Sequence, residues 1–203
     1  TKFQYSCLNY ITLQHIIETI TGQSLRDFAK ENIFDILGMQ YTDYLPTIQQ
    51  QDGKWINTVA CPWMDRIAPT EKQKDGSVLC GQVHDPLARI LNGGISGNAG
   101  IFSNANDIGI LAAALLNGGE YNGHRILSPL GVKTMCTVPR ELTAFGRTPG
   151  WDIFSPYASN KGDLFSPNTF GHTGYTGTSI IIDPDKRTAV ILLVKRCSSG
   201  RPA

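Results

Sequence analysis

The sequence contains no C-x-x-C pair, no apolar run approaching the ~18 residues that a membrane-spanning helix requires, and little charge: Asp, Glu, Lys and Arg make up 17% of its 203 residues. Each shortage removes a class of protein. Five cysteines (Cys7, Cys61, Cys80, Cys136 and Cys197) are an odd number without paired spacing, which argues against a disulfide scaffold or a zinc ribbon and for reduced thiols. Cys80 and His84 stand four residues apart, but a tetrahedral metal site needs two further ligands that the neighbouring sequence does not offer. No metal and no cofactor is therefore expected. Lys plus Arg number 18 against 17 Asp plus Glu, a net charge of +1, so there is no single-sign field to draw nucleic acid or an anionic bilayer. With no apolar span and no basic, apolar leader at its start, the chain is expected to be soluble, and an integral membrane protein is not expected.

Glycine is abundant instead, at 21 residues, or about a tenth of the chain against a usual ~7%. Low charge with many glycines suits an enzyme built on tight loops. A 41% hydrophobic content over this length supports one ordinary domain or two small ones.

Periodicity places the elements. Leu13, Ile16, Ile17 and Ile20 follow helical spacing and predict an amphipathic helix from about Tyr10 to Thr21, ended by Gly22. Ser24 is a candidate cap for a second helix carrying Leu25, Phe28 and Ala29 and running out near Leu37 and Gly38. Residues 46–81 lose periodicity and read as a long loop, a length usually reserved for function or mobility. Asp85 and Pro86 open a short helix through Leu91, Ser103 caps one over Asn104–Asn117 with Ile108, Leu111, Ala112 and Leu115 on its face, and Ser128-Pro129 starts another with Val132 and Met135. Thr178–Ile182 and Ala189–Val194 are β-branched and leucine runs joined through Asp183, Pro184, Asp185 and Lys186, a pattern that predicts an antiparallel hairpin of buried strands. Helices first and strands last give a segregated α+β fold.

Three short constellations could carry chemistry: Tyr5-Ser6-Cys7 before the first helix, the loop Gly93 to Gly100, and Gly171-His172-Thr173-Gly174-Tyr175-Thr176-Gly177 leading into the hairpin. In that order they resemble the C-terminal portion of the serine β-lactamase and penicillin-binding-protein superfamily, in the branch of class C β-lactamases, DD-peptidases and esterases. That superfamily is marked by Ser-x-x-Lys, Tyr-x-Asn or Ser-x-Asn, and Lys-Thr-Gly, with His in place of Lys in many members. Ile36-Leu37-Gly38-Met39, Ala68-Pro69-Thr70-Glu71, Val83-His84-Asp85-Pro86 and Leu116-Asn117-Gly118-Gly119 fit the same branch.

The resemblance implies acyl transfer by a serine that needs a base within reach and preorganised oxyanion donors. It makes Tyr5 the partner base, places His172 at the Lys or His position, assigns the backbone N–H of Tyr175 to the oxyanion hole, and lines the substrate with Thr173 and Gly174. Two departures stand out. Cys7 occupies the Asn position, and a thiol offers neither the two N–H donors nor the carbonyl acceptor of an amide. No serine is followed three residues later by lysine: Ser159 precedes Lys161 by two, and Ser96 lacks the final glycine of a nucleophile elbow. Cys7 could itself serve as nucleophile with His172 as base if the helix start lowered its thiol pKa, although a cysteine entering an amphipathic helix is ordinarily just packed. His84 beside Asp85 reads as a structural loop motif, and His15 and His124 as surface or packing residues.

The expectation is an incomplete β-lactamase/transpeptidase-like domain: residues 1–45 hold the Tyr element and helix pair, 46–81 the long loop, 82–150 the helical region, and 151–203 the His-Thr-Gly strand and terminal hairpin. It would be a serine-hydrolase fragment, inactive alone, acting in its parent on a small-molecule or peptidoglycan-like substrate. By resemblance its compartment is the periplasm or cell envelope. Missing sheet partners would leave an exposed strand edge, and self-association is expected through it. The alternative is a non-catalytic binding or interaction module on the same scaffold. A nucleotide-binding reading of Gly93–Gly100 lacks the Gly-Lys-Ser/Thr ending and the preceding strand.

Overall fold

The computed structural model describes residues 4–73, 75–155 and 161–194; Ser159 and Cys197 lie outside them. The described chain divides into two compact units, one formed by residues 4–35 and 40–104, the other by Ile36–Met39 and Ala105–Val194.

The first unit begins with α1 (Leu8–Thr21), which stops where Gly22 turns left-handed at φ 70° and returns its N–H to the Glu18 carbonyl. Ser24 caps α2 (Leu25–Ala29) by accepting from the Asp27 N–H, as its residue type predicts. The helix continues through a π-helical turn, Lys30–Phe34, into α3 (Asp35–Leu37). β1 (Asp43–Tyr44) pairs antiparallel with β6 (Ile101–Phe102).

Between these strands the expected loop of 46–81 is instead two small hairpins: β2 (Thr47–Gln49) with β3 (Trp55–Asn57), and β4 (Glu71–Lys72) with β5 (Val78–Leu79). Their strands are too short to show an alternation of side chains. Asp-Gly dipeptides make the turns: Gly53 and Gly76 adopt φ of 83° and 86°, while the Asp52 and Asp75 carboxylates accept from the N–H two residues on, at 3.0 and 2.9 Å. A 3-10 turn (Met64–Arg66) and a π-helical turn (Leu87–Leu91) complete the unit. Asp85 opens the latter by accepting from the Ala88 N–H at 2.8 Å.

The predicted α1 helix forms, but the stripe inferred for burial does not do the packing. Leu13, Ile16 and Ile20 are exposed, and the one buried side chain of the helix is Gln14. Gln14 Oε1 accepts from the Gly97 N–H at 3.0 Å and its Nε2 donates to the Ile95 carbonyl at 3.1 Å. A Cβ at position 97 would lie 2.0 Å from the Tyr10 carbonyl oxygen, so only glycine lets the 93–100 loop approach the helix this closely.

The second unit holds α4 (Ala105–Leu116), the hairpin of β7 (Glu120–Tyr121) and β8 (His124–Arg125), and α5 (Pro129–Cys136), whose Ser128 cap accepts from the Gly131 N–H. A 3-10 stretch, Arg140–Phe145, leads to a three-stranded antiparallel sheet ordered β11-β10-β9, from β9 (Phe170–Thr173), β10 (Ser179–Asp183) and β11 (Thr188–Leu192). The predicted hairpin is β10–β11, and His-Thr-Gly adds the third strand. Burial corrects one expectation: β10 is largely buried, but Val190 and Leu192 on β11 are exposed, because they alternate with the half-buried Ala189 and Ile191 and stand on the strand's other face; β11 is also an edge that pairs with β10 alone among the described residues. The core gathers Ala112, Leu115, Val132, Ile153, Phe170 and Ile182. Phe170 pairs with Ile182, and two residues along His172 pairs with Ile180, placing His172 on the core-facing side of the strand.

Asp183 closes the β10–β11 turn. Burial by itself would push its carboxyl up, but bonds from the Ser166 N–H and hydroxyl and the Lys186 N–H hold it down at about 2. A carboxylate depressed from an unfolded value of about 3.9 stabilises the fold fully above that pH and loses this contribution as pH falls through its folded value. Thermal melts between pH 5 and 2 should therefore show a smaller acid-induced loss for Asp183→Asn than for the native chain. In urea titrations, Ile182→Ala should cost about 2–5 kcal/mol from a fully buried site. Gly97→Ala should cost roughly 1–3 kcal/mol as an overpacked contact, against about 1–2 kcal/mol for Gly22→Ala from the left-handed backbone alone, where no atom crowds the added methyl.

Candidate active site

Four of the six predicted site residues share one strand end. His172 and Thr173 finish β9, and Gly174 and Tyr175 enter the turn to β10. The Gly174 N–H donates to the Thr178 carbonyl at 2.7 Å and the Gly177 N–H to the Gly174 carbonyl at 3.0 Å, so a tight turn presents Tyr175 with its side chain 86% exposed. Gly171, one residue before His172, is required by packing: a Cβ there would come 2.4 Å from the Ile180 carbonyl oxygen.

His172 is held from both ring nitrogens. Nδ1 lies 2.8 Å from the carbonyl of Thr173, and Nε2 lies 3.0 Å from Nη2 of Arg147. Arg147 in turn reaches Asp152 Oδ2 through Nη1 at 3.3 Å, and the same carboxylate accepts from the Ser155 N–H at 3.1 Å and its hydroxyl at 2.7 Å. Asp152 is tied to the strand by its backbone, exchanging two 2.9 Å hydrogen bonds with Gly171. Lys161 anchors the chain just before β9 by donating to the Ile153 and Thr169 carbonyls at 3.2 and 3.0 Å; burial pushes its ammonium downward.

Arg147, Asp152 and Ser155 escaped the reading of the sequence. Pro149-Gly150 signals a turn that sets Arg147 opposite Asp152. Nothing local indicates that this turn lies beside a histidine 25 residues further on.

Tyr5 and Cys7 belong to the other unit. Cys7 occupies the N-cap position of α1 without a side-chain cap bond, while the Ser6 hydroxyl accepts from the Leu8 N–H at 3.3 Å. The Tyr5 side chain is 41% exposed. Four amides of the Gly93–Gly100 loop are spent within the protein: Gly94 N–H donates to Ala88, Ile95 N–H to Asn92 and Ala99 N–H to Ser96 carbonyls, and Gly97 N–H to Gln14. Ser96 is buried, its hydroxyl donating to Asn98 Oδ1 at 2.6 Å and accepting from Asn92 at 2.8 Å. His84 pairs with Glu71, Nε2 to Oε2 at 3.4 Å, while Asp85 caps the following turn; Cys80 Sγ is directed to the Ile67 carbonyl.

Helices with antiparallel strands, and a His-Thr-Gly segment closing one of them, define the fold class of β-lactamases and penicillin-binding proteins. Solved structures agree: a beta-lactamase from Mycobacterium bovis superposes with a TM-score of 0.62 at 19% identity over 97% of this chain and 58% of that one. An octameric penicillin-binding protein homologue from Pyrococcus abyssi gives 0.57 at 20% identity over 94% and 38%. The sequence pattern of the Beta-lactamase family matches residues 1–203, and the chain belongs to that family. A protein of Escherichia coli (strain K12) named "Putative D-alanyl-D-alanine carboxypeptidase" is 35% identical over 95% of this chain and 45% of its own length. Its namesake in Salmonella agona (strain SL483) is 33% identical over 97% and 46%. The chain thus spans less than half the length of these relatives.

Burial raises the Cys136 thiol to about 11 and also pushes Cys61 upward. Thiolate is the reactive form, so a timed iodoacetamide reaction at neutral pH, followed by peptide mass mapping, should modify Cys136 last among Cys7, Cys61, Cys80 and Cys136. The cysteine-nucleophile alternative demands preferential alkylation at Cys7; equal rates at Cys7, Cys61 and Cys80 dispose of it.

Proposed function

We propose that this chain supplies the tyrosine and His-Thr-Gly elements of a serine acyl-transfer site acting on a D-alanyl peptide, a β-lactam or an ester. In this reading Tyr5 exchanges the proton of the attacking serine and the Tyr175 N–H stabilises the oxyanion. His172, Thr173 and Gly174 form the wall along which the acyl donor lies. The observation that supports it is the tight turn after His172, in which the Gly174 N–H is spent on Thr178 and the exposed Tyr175 follows; an oxyanion is stabilised by backbone donors of such a turn. The 35% identity to a protein named for D-alanyl carboxypeptidase activity, over nearly all of this chain, supports the substrate class. It also supports a place in the cell envelope.

The nucleophile is not among the 203 residues in Ser-x-x-Lys form. The chain alone should therefore neither hydrolyse a chromogenic cephalosporin or a short-chain aryl ester nor be labelled by a fluorophosphonate. A source-gene protein that includes a Ser-x-x-Lys segment should do both, and His172→Ala in it should lower kcat/KM about 10²-fold, the scale of a misplaced acyl donor. Turnover by the chain alone, or none by such a protein, overturns the reading. Cys7 in the Asn position motivates a second one, a binding module with catalysis lost; it is favoured if the source gene carries no Ser-x-x-Lys.

We further propose that the chain self-associates through β11, whose Val190 and Leu192 are exposed on a strand with an open edge among the described residues. Light scattering at rising concentration should show growth in mass that Val190→Lys suppresses; a monomer throughout contradicts it.

A further inference from the structure

We infer that Arg147 is a positioning residue that fixes the tautomer and plane of His172. The inference deepens the acyl-transfer reading and takes its functional meaning from it. A guanidinium has only donors and stays charged. Across the 3.0 Å contact, Arg147 must therefore donate and His172 Nε2 must accept. A backbone carbonyl has only acceptors, so across the 2.8 Å contact Nδ1–H donates to Thr173. The two contacts admit one arrangement: a neutral imidazole with its proton on Nδ1 and its lone pair on Nε2 aimed at Arg147. A proton on Nε2 would set two donors face to face.

The supporting geometry is built rather than incidental. The Arg147 side chain is 11% exposed and its Asp152 partner 8%. Asp152 is held by Ser155 through both its amide and its hydroxyl, and by Gly171 through the backbone exchange. The Arg147 side chain is thereby locked against His172 by a partner that is itself bonded to the residue before it, and a hydrogen bond to one ring nitrogen fixes which nitrogen of an imidazole carries the proton.

The arrangement alters the role of His172. Its Nε2 lone pair is engaged, so in this state it does not stand ready to take a proton from a substrate. The guanidinium beside the imidazole is Arg147, itself paired with Asp152.

Long-range 15N–1H spectra of the histidine side chains in the full 203-residue chain test this, with His172 assigned by its loss in His172→Gln. At a pH where histidine is neutral, the native chain should show a protonated-type nitrogen at Nδ1 and an acceptor-type nitrogen at Nε2. Arg147→Met should move the pattern towards the Nε2–H form or a mixture, and Arg147→Lys, which keeps a donor, should restore it. A native spectrum with the proton on Nε2 overturns the inference without recourse to any variant. So does an unchanged Nδ1–H pattern in a folded Arg147→Met chain, which would leave Thr173 as sole determinant. No turnover is measured, so failure of the hydrolase reading and failure of this one are separable.

Discussion

The site depends on β9 being clamped along both edges. On one side its residues from Phe170 to Thr173 pair with β10, and on the other Gly171 exchanges two hydrogen bonds with Asp152. The first pairing puts Phe170 into the core with Ile182 and aligns His172 on the same side. The second brings in the turn that carries Arg147. Because backbone hydrogen bonds set both registers, side chains at 147, 152 and 172 are placed to within the reach of one another before any of them contributes its own interaction. Gly171 is the element that permits this, since a side chain there would collide with β10.

A comparable economy governs the first unit. The glycine-rich loop spends the amides of Gly94, Ile95, Gly97 and Ala99 on the protein itself, and Gln14 ties it to α1. Tyr44 is drawn into the same knot through its hydroxyl, which donates to the Ser96 carbonyl at 3.3 Å, and burial first, then the nearby Glu18, push that phenol's pKa up. The loop is thus a mechanical support. It sets the helix that follows the Tyr5 element, and it does so through a polar contact rather than through the apolar stripe that the helix displays.

Much of this was legible in the residues. Caps at Ser24 and Ser128, the stop at Gly22, α4 and the β10–β11 hairpin follow from local preferences that tertiary packing did not override. The ordered set of Tyr5, Gly93–Gly100 and His172–Gly174 pointed to the family that the whole chain matches. Less legible were the two hairpins in 46–81, whose strands of two or three residues carry no period, although their Asp-Gly turns were a usable signal. The exposure of the apolar face of α1 was not legible, because spacing shows which residues share a side of a helix, not which side meets a neighbour.

What the sequence determined by itself was the identity of the elements and the strand residue types at the site, because capping, glycine turns and β-branched runs act over a few positions. Only the tertiary structure decided what surrounds His172. Arg147 and Asp152 approach it through a strand register, and register is set by many weak pairings at once. The hydrogen bonding of the imidazole is a consequence of that register, so no reading of neighbours along the chain could supply it.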